Sequence, residues 1–169
     1  MFEFQEEYKL RLSKNRYALK IAYQRLRSAI ENNNDDEVYA ATGELLMWVI
    51  ATDEWHKEHG CDDYVERRDK SEDGVLLKGL LHAYNMMKHN MRFIQIHHKE
   101  GGFSFPITFP FSIPPVTVHW RLAGEVLNGK YDKQKQNYIK HIEGKEIIET
   151  FNTALTFLNY ESSKFYFDE

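Results

Sequence analysis

A chain of 169 residues is long enough to bury a substantial core and is most simply one domain. Its 42% apolar and 14% aromatic content excludes an intrinsically disordered class, and a net charge of −4 gives no global argument for nucleic-acid binding. One cysteine, Cys61, excludes an internal disulfide framework and any multi-cysteine zinc site.

The N-terminal MFEFQEEYKLRL is charged throughout, unlike a signal peptide or a membrane anchor. No apolar run approaches bilayer length, so the expectation is a soluble, cytoplasmic protein with no membrane partner. The apolar spacing of Tyr8, Leu12, Leu19, Tyr23, Leu26 and Ile30 predicts a first helix over Gln5 to Glu31. Acids fill its first turn, and every charge from Lys9 to Arg27 is basic, a local surface suited to RNA in an otherwise acidic molecule. Tyr17 and Tyr23 are candidates for stacking on bases, with core packing the competing explanation for Tyr23.

NNNDD, Asn32 to Asp36, reads as a turn that supplies a helix N-cap. A second helix follows over Asp36 to His59; LLMWVIAT within it is apolar almost all round, as a central helix would be, and Gly60 stops it. CDDYVERRDKSEDG reads as a charged surface loop with one short helical turn. A third helix is expected over Gly74 to Arg92.

From Phe93 the period changes. FIQI is strand-like, KEGG is a turn, and Phe103, Phe105, Ile107, Phe109, Phe111 and Ile113 alternate with Ser, Pro and Thr. Pro106 and Pro110 restrict that stretch to an edge strand or an extended arm. VTVHW, Val116 to Trp120, is a second strand, and a final helical region over Asp132 to Asn159 breaks near Gly144. The predicted fold is mainly α: a bundle of four or five helices with a β-hairpin or extended arm inserted at about residues 93–120.

The third helix carries the chemistry. Lys78, His82, Asn85, His89 and Arg92 lie along one stripe, with Leu76, Leu80, Ala83, Met87 and Met91 roughly opposite. Asn85 and His89 are one turn apart, so an amide that positions a phosphate or ribose hydroxyl stands beside an imidazole that exchanges protons. The competing reading is the ordinary solvated face of an amphipathic helix. Asp53, one turn beyond Val49 and Ile50, is placed to orient His89; alternatively it faces solvent or pairs with Lys57 at i+4.

The segment GLLHAYNMMKH, Gly79 to His89, resembles the signature helix of the HEPN superfamily, helical-bundle proteins of bacterial and phage conflict systems. Asn85 matches that family's polar residue and His89 its histidine, while Tyr84 stands where the family has an arginine. The helix around Trp48, Asp53 and Glu54, the Arg67-Arg68-Asp69 loop and the FPITFP arm add looser likeness over Ala40 to Leu158. The resemblance implies a homodimer that binds or processes RNA or nucleotides in a defence or toxin–antitoxin setting. If it cleaves, a ribose 2′-hydroxyl attacks without metal, with His89 as acid/base, Asn85 positioning the substrate and Asp53 auxiliary; Arg92, His82, Tyr84 and Lys78 are the accompanying substrate-binding candidates. A phenol at Tyr84 lacks the guanidinium's charge and fork. That departure favours the alternative, a catalytically inactive homodimeric interaction or antitoxin-like module, for which the apolar arm is a candidate partner surface.

No cofactor and no metal is assigned. DEWHKEHGC does gather Asp53, His56, His59 and Cys61 at short range, but without a strict ligand motif. The pairs His97-His98 and His119-Trp120 suggest no joint site. Neither a nucleophile elbow nor a phosphate-binding glycine loop is present.

Overall fold

The computed structural model describes residues 2–98, 116–125 and 132–165. Its α-helices are α1 (Phe2–Glu31), α2 (Asp35–His59), α3 (Tyr64–Lys70), α4 (Glu72–Lys88), α5 (Asp132–His141) and α6 (Ile147–Ser163). A two-stranded antiparallel hairpin, β1 (Ile94–His98) with β2 (Val116–Trp120), lies between α4 and α5. The mainly α class and the inserted hairpin therefore agree with the sequence pattern. The alternating stretch from Phe103 to Ile113 lies outside the described residues.

α1 and α2 form an αα-hairpin. Asn33 at a φ of 54° makes the turn, and the Asn34 side chain caps α2 by accepting from the Glu37 amide at 3.1 Å. α4 is the central element, touching α2, α3, α5 and α6. Its small residues allow this: a Cβ added at Gly79 would come within 2.2 Å of Ile142 Cγ1, at the end of α5. The buried apolar residues form one cluster, in which Leu45, Leu80, Phe93, Trp120, Tyr138 and Phe151 are fully enclosed.

Two elements differ from expectation. The charged stretch read as a surface loop with one short helical turn contains α3, two turns long, with Tyr64 and Arg68 buried at i and i+4 on one face. It is drawn inward because Asp53 on α2 is itself buried and needs partners there. α4 ends at Lys88 instead of continuing to Arg92. Asn90 adopts a left-handed φ of 59°, and the Met91 amide closes the end by donating to the Met86 carbonyl at 2.9 Å. Arg92 is thus not part of the helical stripe.

Side chains in the hairpin alternate by register. Val116, Val118 and Trp120 face the core, while Gln95, His97, Thr117 and His119 share the other face. β2 is also tied to the α5–α6 turn: Gly144, at a φ of 72°, donates to the Trp120 carbonyl, and Trp120 donates to Lys145. Among the described residues no helix is long and apolar enough to cross a membrane.

Candidate anion-binding site

The most concentrated polar chemistry lies where α2, α3 and α6 meet. Asp53 is 1% exposed. Its carboxylate accepts from the Tyr64 hydroxyl at 2.7 Å and from the Arg68 guanidinium at 3.2 and 3.3 Å, and pairs with Lys57 at 2.6 Å. A buried carboxylate is tolerated because every approach to it is a donor. Burial, then the charge of Asp53, pushes the Tyr64 phenol well above its ordinary pKa, so it remains a donor. Burial opposes the charge on Arg68, but Asp53 and Asp69 outweigh it and hold the guanidinium ionised.

A second set stands beside the first. Arg67 makes a two-pronged contact with buried Glu161, at 3.0 and 2.6 Å, and Lys164 reaches the same carboxylate at 2.9 Å. His56 Nε2 is 3.0 Å from Ser162 Oγ, and the ring stacks on Tyr64. Burial pushes the His56 pKa down to about 4, against the upward pull of Glu161 and Asp53. Its Nδ1 is buried without a hydrogen-bond partner among the described residues, consistent with a neutral ring whose protonation the interior resists.

This network supports a surface cleft of about 310 Å3 lined by Asp53, Lys57, Arg68, Leu77, Lys78, Leu81, Lys133, Gln134 and Asn137. Four cations line it beside the Asp53 carboxylate; Asp69 and Glu54 pair with Arg68, Lys78 and Lys57, while Lys133 makes no ion pair among the described residues. Asp69 connects Arg68, at 2.9 Å, to Lys78, at 3.2 Å, and so fixes two of the cations relative to each other. Asn85 extends the arrangement: its amide donates to Gln134 Oε1 at 2.8 Å, tying α4 to α5 beside the cleft. Two further histidines, on α4 and α5, have lowered pKa values. His82 is lowered by burial and then by Lys135, and His141 by burial and then by Lys140, Lys145 and Lys78.

The sequence candidates are distributed unevenly about this cleft. Asp53 and Lys78 line it, and Asn85 borders it through Gln134. His82 is buried with its ring against Tyr138, and Tyr84 is half-buried against the core. His89 is the C-cap residue of α4 and is exposed. Arg92 is exposed as well and lines a separate depression with Asp35, Tyr39, Gln95 and Arg121. Asn85 and His89 are therefore one turn apart in the chain but differ in shelter, one engaged beside a cleft and the other at an open helix end. Asp53 is directed at α3, and its pairing with Lys57 is also present.

Arg68, Lys57, Lys133, Gln134 and Asn137 were not singled out by the pattern on α4. The signal for Arg68 was the i, i+4 pairing of Tyr64 with Arg68 within a segment that its charge made look like a loop. The short-range DEWHKEHGC residues diverge: His56 turns to Ser162, His59 stacks on Tyr8 at 3.9 Å, and Cys61 is exposed. Among the described residues no three His, Cys, Asp or Glu side chains gather as metal ligands. Comparison with protein-family models, curated proteins and solved structures finds no match to this chain.

Proposed function

We propose that this protein binds RNA or a nucleotide through the cleft between α4 and α5, on a HEPN-like bundle that acts as a cytoplasmic homodimer in a defence or toxin–antitoxin setting. The observation that carries the reading is the group of Lys57, Arg68, Lys78 and Lys133 around one cleft, with Gln134 and Asn137 beside them. Phosphate oxygens suit both parts of that lining, the cations by charge and the amides by hydrogen bonding. Leu77 and Leu81 offer an apolar wall against which a base or ribose can lie. Asp53 then acts by holding Arg68, and Asn85 by holding Gln134.

Cleavage is the finer form of the same reading. A ribose 2′-hydroxyl would attack the adjacent phosphorus, giving a cyclic phosphate and a free 5′-hydroxyl, with His89 exchanging the protons and no metal required. Arg68 would bring to the site, from α3, the guanidinium that Tyr84 lacks. His89 does not line the cleft, so binding has the stronger support of the two.

The test uses a labelled single-stranded RNA and, separately, ATP, both in EDTA at low salt. Lys133→Glu and Lys78→Glu should weaken binding at least about tenfold and reduce its salt dependence. His89→Ala should leave binding intact and abolish any cleavage. Unchanged binding in both charge reversals, or no binding by the wild type, sinks the reading.

The alternative is a non-catalytic interaction module. Its supporting observation is a ridge on α1 where Leu10, Tyr17 and Ile21 are 58%, 67% and 40% exposed at helical spacing. Wild-type dimers that Tyr17→Ser converts to monomers by light scattering, in a protein that ignores RNA, would favour it.

A further inference from the structure

The geometry points to a two-imidazole site for a late first-row divalent metal on the solvent face of the hairpin, formed by His97 and His119. The strand register puts Gln95 opposite His119 and Thr117 opposite His97, so the two histidines are diagonal neighbours on one face. Their ring centres are 5.0 Å apart, with planes at 74°. An ion about 2.1 Å from one nitrogen of each ring lies roughly 3.2 Å from each ring centre. For angles at the ion between square and tetrahedral, the two centres then stand about 4.6–5.2 Å apart. The observed separation falls in that interval, so side-chain rotation that turns one nitrogen of each ring towards a common point brings an ion into reach without shifting the strands.

The chemical availability of these rings sets them apart from the other described histidines of the hairpin and of the α2 end. His98 is bonded to Asp35 at 2.8 Å, His56 to Ser162, and His59 is stacked on Tyr8. Neither His97 nor His119 makes a side-chain hydrogen bond to a described residue; Nδ1 of His119 is enclosed, which leaves its Nε2 as the nitrogen that faces an ion. An imidazole that no structural hydrogen bond engages retains its lone pair for a metal. Imidazole favours zinc, copper and nickel over magnesium or calcium. Water, with Gln95 or Thr117 on the same face, completes the coordination.

The position also gives the ion a structural consequence. β1 and β2 are short, and two strands alone hold together weakly. A metal joining His97 to His119 closes them across the ladder, while β2 stays anchored to the α5–α6 turn through Trp120. Binding to the folded chain alone stabilises it by mass action. This site is independent of the cleft and of its proposed ligand.

The experiment titrates Ni2+, Zn2+ and Cu2+ separately into the tag-free chain at neutral pH, reading calorimetry, thermal shift and histidine NMR signals. Wild-type protein should bind one equivalent saturably, with Cu2+ broadening the imidazole signals of His97 and His119 first. His97→Gln, at an exposed position, and His119→Gln should each weaken binding more than about tenfold and remove the thermal shift. His98→Gln, on the opposite face, should leave the affinity unchanged. An absence of saturable binding overturns the site, as does binding that survives His97→Gln or broadening that begins at His56, His59 or His98. Two rings that merely touch would produce the first of those results.

Discussion

The two ends of α4 carry the same kind of polar stripe and meet opposite fates. Towards the N-terminal end, Lys78 faces α3 and α5, where Asp69, Arg68 and Asp53 are fixed by one another. At the C-terminal end, His89 stands in solvent as the C-cap, and Arg92 is exposed beyond a left-handed Asn90. Spacing along a helix sets direction, but shelter comes from what packs opposite. α3 covers one end, and the chain turns away from the helix at the other.

The sharpest way to break this comparison is to remove the acid at the sheltered end. Asp53→Ala leaves the buried Tyr64 hydroxyl without its acceptor and takes one of two carboxylates from the Arg68 guanidinium, and should cost about 3–5 kcal/mol by urea denaturation. A loss below about 1 kcal/mol would mean that water replaces the carboxylate and that the end is not sheltered.

Acid should act on the same end through His56. The unfolded chain takes up a proton near the ordinary pKa of 6.5, whereas the folded chain does so only at about 4. Between those values the unfolded state binds more protons, so stability falls as the pH drops through the window. The slope is about 1.4 kcal/mol per pH unit, about 3 kcal/mol in all. His56→Gln keeps an amide donor for Ser162 and should flatten the curve; denaturation midpoints at about pH 7, 5.5 and 4.5 would show it.

The close contact that sets α5 beside α4 can be tested next. Gly79→Ala drives a methyl group into Ile142 Cγ1 and should cost about 1–3 kcal/mol, with Ile142→Ala, which removes that atom, making the double variant less destabilised than the sum of the two single changes. If the cleft depends on that spacing, RNA or nucleotide binding should fall with the first substitution and recover with the second. The smallest effect belongs to the open end. His89→Ala should change stability by no more than about 0.5 kcal/mol, as for an exposed residue without structural partners.

Much of the frame was legible in the residues. The NNNDD turn, Gly60, the apolar middle of α2, the strand-like FIQI and VTVHW, and the break at Gly144 each carry a local signal with one strong physical cause. α3 was not legible, because Glu66, Arg67, Arg68, Asp69 and Lys70 look solvated when taken one at a time. Buried together, Arg68 and Asp53 neutralise each other, and Arg67 does the same with Glu161. Of the cleft, the line through Lys78 and Asn85 was visible, since it follows one helix. Lys133, Gln134 and Asn137 were not, because nothing local to α4 says which face of a distant helix will lie beside it.

The same distinction holds for the hairpin histidines. Their alternation within each strand is a property of the extended backbone, but which residue stands diagonal to His97 depends on a register that local preference leaves open. By itself the sequence determined the helical class, the apolar second helix and the inserted strands, since backbone preference and apolar period act over a few residues, but it marked α2 as central where α4 holds that place. Only the tertiary structure decided which charges are buried, which cations share a cleft and which two imidazoles touch, because desolvation and Coulomb interaction depend on distance in space and not along the chain.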